Sequence, residues 1–225
     1  MSTIITIDGP AGSGKSTVSK QLAGKLGYTF LDTGAMYRAV TWAGMRSGVD
    51  LNDTAAMTEV INSSNLDFQN SGGETLVTCR GEDISDEIRS RDVTEKVNAV
   101  AANPQMRNIL VKMQRDFAAR HGSIVTEGRD QGTVVFPDAM FKFFLDATLE
   151  ERSIRRYKEF KAKGIDYDLD EIKKSIEKRD NSDIKRSSGP LKPADDAVRI
   201  DTSEMSVKDV VGYILNHIKS GAGRV

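Results

Sequence analysis

Residues 9–16 read Gly9-Pro10-Ala11-Gly12-Ser13-Gly14-Lys15-Ser16. Their spacing, G-x-x-x-x-G-K-[ST], is that of a phosphate-binding loop, in which backbone N–H groups surround the phosphates of a nucleotide. Lys15 would neutralise the terminal phosphates, and the hydroxyl of Ser16 would be available to a magnesium ion. The loop therefore predicts a nucleotide site near the start of the chain.

This motif is diagnostic only where a strand leads into it and a helix leaves it. Before the loop, three β-branched residues predict a buried strand that ends at Asp8, namely Ile4, Ile5 and Ile7. After the loop, apolar residues recur at helical spacing, namely Val18, Leu22 and Leu26. Because both elements are predicted, a nucleotide site is favoured over a glycine-rich turn with a solvated lysine.

The composition narrows the class of protein. The chain has 225 residues, enough for one α/β domain that carries small insertions. Its formal net charge is -1, which gives no reason to expect a nucleic-acid polymer as partner. Neither a secretory signal nor a membrane span is predicted, so we expect a cytoplasmic protein. The single cysteine, Cys79, excludes an internal disulfide and is expected to pack in a strand.

The order of the predicted elements indicates a parallel sheet. Residues 28–32 form a second short strand, so that strand, helix and strand alternate in the first third of the chain. Short apolar runs predict three more core strands, at 123–127, 140–145 and 197–201. Apolar periodicity predicts further helices from Pro104, over 147–163, from Asp168 and from Ser206. Arg107 is expected on the polar face of the helix that begins at Pro104.

Residues from about 53 to 91 have a different character and are predicted to be an insertion. Short strands are indicated by four apolar residues, Leu66, Phe68, Leu76 and Val77. Between them, the run Asn70-Ser71-Gly72-Gly73 predicts a hairpin turn.

Polar residues follow two of the core strands where each strand ends. Thr33 to Arg38 follow one strand, and Gly128-Arg129-Asp130-Gln131-Gly132 follow another. Open α/β sheets bind ligands at this carboxyl edge, so both runs are candidates for ligand contacts. The alternatives are an exposed helix charge for Arg38 and a plain turn with a surface ion pair at Arg129 and Asp130.

Two later helices carry clusters of charge. The first places Arg152, Arg155 and Arg156 within about one turn, and Gly164 ends it. The second carries Arg179, Asp183 and Arg186 at spacings of four and three, which places them on one face. Three lysines of this second helix are expected to be solvated, namely Lys173, Lys174 and Lys178.

These strings together resemble those of the bacterial cytidylate kinases. The matching segments span nearly the whole chain and are Asp8-Gly9-Pro10, residues 31–38, residues 128–137, residues 144–147 and residues 178–191. The string from Gly128 to Pro137 is far more specific than the phosphate loop, which many ATPases share. Two positions depart from the family pattern: Asn98 stands where some members have serine, and Glu127 where some have aspartate.

The resemblance implies a role for each matching residue. ATP would bind to the loop Gly9, Pro10, Ala11, Gly12, Ser13, Gly14, Lys15, Ser16 and Thr17. The acceptor phosphate would be held by Arg38, Arg129 and Arg186. The base would be read by Arg107 and Asp130, with Thr33 and Asn98 nearby and Arg129 keeping Asp130 ionised. Arg179 and Asp183 would contact the sugar. The catalytic residues would be Lys15, Arg129, Arg186, Arg152 and Arg156.

The resemblance also implies the architecture and the reaction. The fold would be α/β, a P-loop NTPase-type three-layer fold with a parallel five-stranded core sheet. The core would comprise 1–34, 103–150 and 190–225, the nucleoside-monophosphate insertion about 35–102, and a helical lid about 151–189. The reaction would transfer the γ-phosphoryl group of ATP to CMP or dCMP with Mg²⁺ at Ser16, and the protein is expected to be a monomer.

Three other readings predict different features. A regulatory GTPase-like module would need a guanine-reading Asn-Lys-x-Asp string, which the sequence lacks. A P-loop kinase for a sugar-like acid or another nucleotide would share the phosphate loop but lack the run from Gly128 to Asp130. A non-catalytic structural domain would need neither string.

Overall fold

The computed structural model describes residues 2–71, 74–162 and 164–221. The strands are β1 (Ile4–Asp8), β2 (Thr29–Asp32), β3 (Leu66–Ser71), β4 (Glu74–Cys79), β5 (Glu82–Asp83), β6 (Ile124–Gly128), β7 (Phe141–Asp146) and β8 (Val198–Asp201). The α-helices are α1 (Lys15–Leu26), α2 (Thr33–Arg46), α3 (Thr54–Ser63), α4 (Arg91–Ala102), α5 (Pro104–His121), α6 (Leu149–Ala162), α7 (Leu169–Lys185) and α8 (Val207–Gly221). Short 3₁₀ and π-helical turns lie at Glu87–Arg89 and Gln131–Val135.

The core is the predicted parallel five-stranded sheet, in the order β2-β6-β1-β7-β8. Asp8 lies opposite Gly128 and Asp32 lies opposite Glu127, so the carboxyl ends of three neighbouring strands meet at one edge. Polar groups that follow these strands are therefore brought together at that edge.

Helices cover both faces of the sheet and give the predicted three layers. On one face, α1 and α8 bury apolar side chains against the strands, among them Val18, Leu22, Val211 and Ile214. On the other face, α2 and α5 do the same with Met36, Met106, Leu110 and Phe117. In α1, α5 and α8, the apolar periodicity of the sequence is thus the face that packs on the sheet, whereas α2 was not predicted as a helix.

The predicted insertion is confirmed as a three-stranded antiparallel sheet, in the order β3-β4-β5, that follows α3. Its buried residues Phe68 and Val77 belong to the same apolar cluster as α2 and α5, so the insertion packs on the core. The Asn70 side-chain amide donates to the carbonyl of Phe30 on β2 at 3.1 Å. Residues 72 and 73 of the predicted hairpin turn lie outside the described residues.

Several details differ from the sequence prediction. Arg107 is only 2 % exposed and points into the protein, so the prediction that it lies on a polar face of α5 was wrong. The strand β2 begins at Thr29 rather than at residue 28, and Met140 lies before β7 with 56 % of its surface exposed. Arg186 is not within α7 but caps its carboxyl end. Residue 163, the predicted end of α6, lies outside the described residues.

The single cysteine and both histidines make contacts that stabilise the fold, and they lie outside the cleft described below. Cys79 is a free thiol at the end of β4, where its Sγ donates to the carbonyl of Ser64 at 3.3 Å. His121 stacks on Phe117, and His217 packs edge-on against Phe143. Within the described part of the chain, every helix is too short or too polar to cross a membrane.

Candidate active site

A cleft of about 1240 Å³ opens at the carboxyl edge of the core sheet. Its walls come from the phosphate loop, the start of α2, the helix α4, the loop after β6 and the helices α6 and α7. The predicted acceptor residues all line it, namely Thr33, Arg38, Asn98, Arg107, Arg129, Asp130, Arg179, Asp183 and Arg186. The residues from Ala11 to Thr17 also line the cleft, whereas Gly9, Pro10 and Arg152 do not.

The phosphate loop joins β1 to α1 as the motif requires. A Cβ at Gly9 would overlap the carbonyl oxygen of Leu145, so only glycine allows the loop to pass this close to β7. Lys15 is 5 % exposed, and its ammonium donates to the carbonyl of Pro10 at 2.6 Å and to Ser13 Oγ at 3.4 Å. Burial, followed by the positive charge of Arg129, lowers the pKa of Lys15 to about 7. An anion in the loop would reverse this shift.

Glu127 connects the phosphate loop to the start of α2. Its carboxylate accepts from Ser16 Oγ at 2.6 Å, and its backbone carbonyl accepts from Thr33 Oγ1 at 2.7 Å. A hydroxyl beside a carboxylate is an all-oxygen donor set, which suits Mg²⁺, an ion bound by one or two carboxylates together with substrate phosphates. Within the described residues, no group of three or more His, Cys, Asp or Glu side chains could hold a metal ion by itself.

Asp8 fixes the loop that follows β6, a role that was not predicted from the sequence. Its two carboxylate oxygens accept from the backbone N–H groups of Gln131 at 2.9 Å and Gly132 at 2.8 Å. Burial raises the pKa of Asp8 to about 7, while these two hydrogen bonds oppose the rise. A polar residue at the end of a run of buried isoleucines was the available signal. Asp8 thus sets the position of Arg129 and Asp130 relative to the phosphate loop.

Two carboxylates and three arginines form the wall of the cleft beyond this loop. Arg129 Nε donates to Asp183 Oδ2 at 2.7 Å, and the Arg107 guanidinium donates to Asp130. Arg186 bridges the two carboxylates, with nitrogen–oxygen distances of 3.6 Å to Asp130 and 3.6 Å to Asp183. Burial raises the pKa of Asp130, and the charge of Arg129 opposes this rise as expected, after those of Arg107 and Arg186, but the group that orients Asp130 directly is Arg107. Sequence neighbours on a loop point different ways, and Arg129 points toward α7.

Burial dominates the electrostatics of this cluster. It raises the pKa of Asp130, against the opposing charges of Arg107 and Arg186. For Asp183 burial acts in the same direction, but Arg129 and Arg179 together lower the pKa of that carboxyl. Burial also lowers the pKa of Arg179 to about 10, with Arg129 and then Arg38 adding to the effect. Crowded, desolvated guanidinium groups of this kind mark a site that an anion would stabilise.

Three buried arginine nitrogens beside the cleft make no hydrogen bond among the described residues, namely Arg107 Nε, Arg179 Nε and Arg186 Nη2, the last of which lies 3.6 Å from an Asp130 oxygen. Buried donors without partners are rare in folded proteins, since each one loses its hydrogen bonds to water. All three belong to side chains that line the cleft. The arrangement fits a ligand that brings several acceptor atoms.

Gly189 closes the cluster from the segment after α7 and was also missed in the sequence. It has a φ of +56°, and its carbonyl accepts from Arg186 Nε. A Cβ at this position would overlap Arg107 Nη2 and Asp130 Oδ2. The backbone of Gly189 thus lies directly against the Arg107–Asp130 pair.

The three arginines of α6 do not converge on one point, as their spacing had suggested. Arg152 is buried and donates to the carbonyls of Ala11 at 2.9 Å and Ala147 at 3.0 Å, and it pairs with Asp180. Arg155 donates to Glu151 and to the Thr202 hydroxyl. Arg156 pairs with Glu159 at 2.9 Å and lies over the ring of Phe160. Each guanidinium therefore has protein partners, and anions are not needed to explain the cluster.

Comparison with known proteins places the chain in a family. The sequence profile described as cytidylate kinase matches residues 5–220. The chain is 42 % identical over 216 residues to a cytidylate kinase of Pasteurella multocida strain Pm70, covering 96 % of this chain and 95 % of the relative. It is 47 % identical over 211 residues to one of Streptococcus gordonii strain Challis, covering 93 % of each.

A solved structure gives an independent view of the fold. An uncharacterized protein from Eubacterium ventriosum has a similar structure, with a TM-score of 0.53, 16 % identity and coverage of 98 % of this chain and 99 % of the other. This likeness concerns the fold alone. The profile match and the two kinase relatives cover nearly the whole chain, and together with the site they show that it belongs to the cytidylate kinase family.

Proposed function

We propose that this protein transfers the γ-phosphoryl group of ATP to CMP or dCMP, giving ADP and CDP or dCDP, as a step of pyrimidine nucleotide metabolism. Family membership supports the reaction class. The observation that carries the proposal is the set of buried guanidinium nitrogens that make no hydrogen bond among the described residues, on Arg107, Arg179 and Arg186, whose side chains all line the cleft. A nucleoside monophosphate offers phosphate, sugar and base acceptors within a few ångströms of one another, and so suits this set.

ATP would occupy the phosphate loop from Gly9 to Thr17. Its phosphates would replace the Pro10 carbonyl as the partner of Lys15, and the α1 amides would point at them with the helix dipole behind. Ser16 and Glu127 would hold Mg²⁺, the Glu127 carboxylate directly or through water. When bound, this ion would neutralise negative charge on the phosphates of the donor.

CMP would lie against the opposite wall. Its phosphate would be held by Arg38, Arg129 and Arg186, whose planar guanidinium groups match phosphate oxygens in pairs. Its sugar would contact Arg179 and Asp183. In this arrangement the chain's residues act by positioning, because phosphoryl transfer needs two aligned substrates and stabilisation of spread charge. Arg152 would act through the phosphate loop that it holds, and Arg156 is the more exposed candidate for the moving phosphoryl group.

The base would be read by the Arg107–Asp130 pair, with Thr33 and Asn98 on neighbouring walls. A carboxylate only accepts hydrogen bonds, so Asp130 would accept from the exocyclic amine of cytosine and repel the carbonyl that uracil has there. Arg107 would donate to the ring acceptors of cytosine. Burial of the pair makes a mismatched base costly, because its charges could not regain water.

We propose that the chain is divided into the core, insertion and lid that were expected from the sequence. A core of 1–34, 103–150 and 190–225 would carry the donor, an insertion of about 35–102 the acceptor, and the region of about 151–189 would act as a lid that excludes water. We also propose that the protein acts as a monomer. We expect the protein to work in the cytoplasm, where its nucleotide substrates are present.

Base choice provides the test. We expect CMP and dCMP to be good acceptors and UMP a poor one, with a difference of about 1–3 kcal/mol from the Asp130 contact. Asp130→Asn should narrow the CMP-to-UMP ratio of kcat/KM, mainly by weakening CMP. The matched control is Asp116→Asn, which removes an exposed carboxylate from α5. Equal use of CMP and UMP by the unmodified protein, or an unchanged ratio in Asp130→Asn, would refute this assignment.

A further inference from the structure

Asp180 on α7 is hydrogen-bonded to the phosphate loop, although it lies 169 residues after Ala11 in the sequence. Its Oδ1 accepts from the backbone N–H of Ala11 at 3.2 Å, and its Oδ2 accepts from Arg152. The same Arg152 nitrogen donates to the Ala11 carbonyl at 2.9 Å. Both polar groups of Ala11 are therefore held by one ion pair, which we call the Ala11 clamp (Asp180, Arg152 and the Ala11 backbone).

The clamp is built into the fold rather than lying on its surface. The side chains of Arg152 and Asp180 are only 9 % and 13 % exposed. Arg152 is fixed from behind by the Ala147 carbonyl, and a Cβ at Gly12 would lie 3.1 Å from Arg152 Cβ. Charge-assisted hydrogen bonds in such a dry setting are stronger than neutral ones, and they fix the geometry of what they bind. The shape of the loop at Ala11 and Gly12 therefore depends on α6 and α7.

The helix that carries the clamp also carries acceptor contacts. Asp180 follows Arg179 directly and precedes Asp183 by three residues, so all three lie within about one turn of α7. The charge of Asp180 also reaches Arg129: burial lowers the pKa of Arg129, but Asp183 foremost, then Glu127 and Asp180, raise it above its ordinary value. A shift of α7 that accompanies acceptor binding would move Asp180 against the phosphate loop.

We propose that Asp180 is a positioning residue that couples the two substrate sites, so that binding of the acceptor orders the phosphate loop for the donor and the reverse. This inference rests on the proposed function, since it needs CMP on one side of α7 and ATP on the other. Coupling of this kind is reciprocal, because each ligand must change the affinity for the other by the same factor. Asp180 does not line the cleft, so it acts through Ala11 and Arg152.

The test measures binding rather than turnover. Calorimetry gives the dissociation constant of CMP with and without a saturating, non-hydrolysable ATP analogue and magnesium, and the ratio of the two constants is the coupling factor. We expect a factor of about 5–150 for the unmodified protein. In Asp180→Asn, which keeps the shape but loses the charge that holds Arg152, we expect a factor below about 2 while CMP alone binds nearly as before. The reverse titration should give the same factor.

Two further variants distinguish a loss of coupling between the substrate sites from a general loss of structure. Glu177→Gln removes one exposed carboxylate from the same helix and should keep the full coupling factor. If Asp180→Asn does not fold, Arg152→Lys provides the same test, because a lysine has a single ammonium in place of the Nε and Nη1 atoms that bond the Ala147 and Ala11 carbonyls separately. A protein that phosphorylates CMP but keeps its coupling factor in Asp180→Asn would overturn this inference alone. A protein that does not phosphorylate CMP would overturn the proposed function.

Discussion

Replacement of Gly189 by alanine should damage the recognition of cytosine more than it damages the fold. The added Cβ would overlap Arg107 Nη2 and Asp130 Oδ2 and lie 2.9 Å from Arg107 Cζ. Carbon atoms in contact are normally about 3.5–4.0 Å apart, so the guanidinium carbon would have to move by roughly 0.6–1.1 Å, and the overlapping Nη2 by more. A displacement of that size breaks the geometry of the buried Arg107–Asp130 pair.

The magnitude follows from two separate costs. A residue with a side chain at a φ of +56° is strained by about 1–2 kcal/mol, and this cost falls on the whole fold. A disrupted charge-assisted hydrogen bond in a buried site costs about 1.5–3 kcal/mol. If the second cost falls on the CMP transition state, kcat/KM for CMP should drop by about 10- to 150-fold.

A matched glycine separates these two costs. Gly48 has a φ of +70° just after α2, and a Cβ there would meet no atom within 4 Å. Gly48→Ala should therefore lower the melting temperature by a similar amount while kcat/KM for CMP stays near that of the unmodified protein. Steady-state kinetics with CMP and UMP, together with thermal unfolding of both variants, make the comparison. Gly189→Ala with no greater kinetic loss than Gly48→Ala would show that this reasoning is wrong.

Three further predictions concern the phosphate loop and the strand before it. Lys15→Ala should lower kcat by about 100- to 1,000-fold without loss of melting temperature, because a buried lysine with a lowered pKa gives the fold no net charge stabilisation; near-native turnover would contradict this. Since burial lowers the pKa of Lys15 to about 7 and phosphates should raise it again, ATP affinity should fall as pH rises above about 7, with proton uptake at pH 8 in calorimetry that Lys15→Ala lacks. Proton uptake that is equal in both proteins would exclude Lys15 as its source. Asp8→Asn should place an amide N–H against the N–H of Gln131 or Gly132 and lower both melting temperature and kcat/KM, by about 1–3 kcal/mol each; unaltered kinetics would mean that Asp8 does not position the loop.

The sign of the Lys15 effect on stability is opposite to that of a paired lysine. Its folded pKa of about 7 lies below the ordinary value of 10.5, so between these values the unfolded chain binds more protons than the folded protein. The free energy of unfolding due to this group therefore rises with pH across that window. Bound phosphate should remove the rise.

The parts of the fold that could be predicted are those that depend on short stretches of consecutive residues. The strand β1, the phosphate loop and α1 are contiguous, and the apolar periodicity of α5 and α8 is read directly from neighbouring residues. The polar run after β6 could be assigned to the ligand edge because a parallel sheet brings strand ends together. The architecture needed no long-range information beyond that rule.

The parts that were not predictable are pairings between distant residues. Arg129 was expected to keep the neighbouring Asp130 ionised and oriented. Its hydrogen-bond partner is instead Asp183, which lies 54 residues further along the chain, on α7. Arg107 was placed on a polar face because arginine is usually exposed, and only the folded protein shows its buried partner. Gly189 lies in the matching segment 178–191, but its own importance was not predictable, because it depends on two side chains that approach it from elsewhere.

The contact between the insertion and the core sheet has a consequence for shortened versions of this protein. In the sheet formed by the described residues, β2 is an edge strand whose ladder partner is β6, and edge strands readily pair with other chains and aggregate. The Asn70 amide on β3 occupies the Phe30 carbonyl at that edge, and Phe68 and Val77 are buried on the core beside it. A minimal kinase from which β3, β4 and β5 were deleted would uncover both the edge and this apolar surface. We expect such a shortened protein to aggregate, even if its phosphate loop kept its structure.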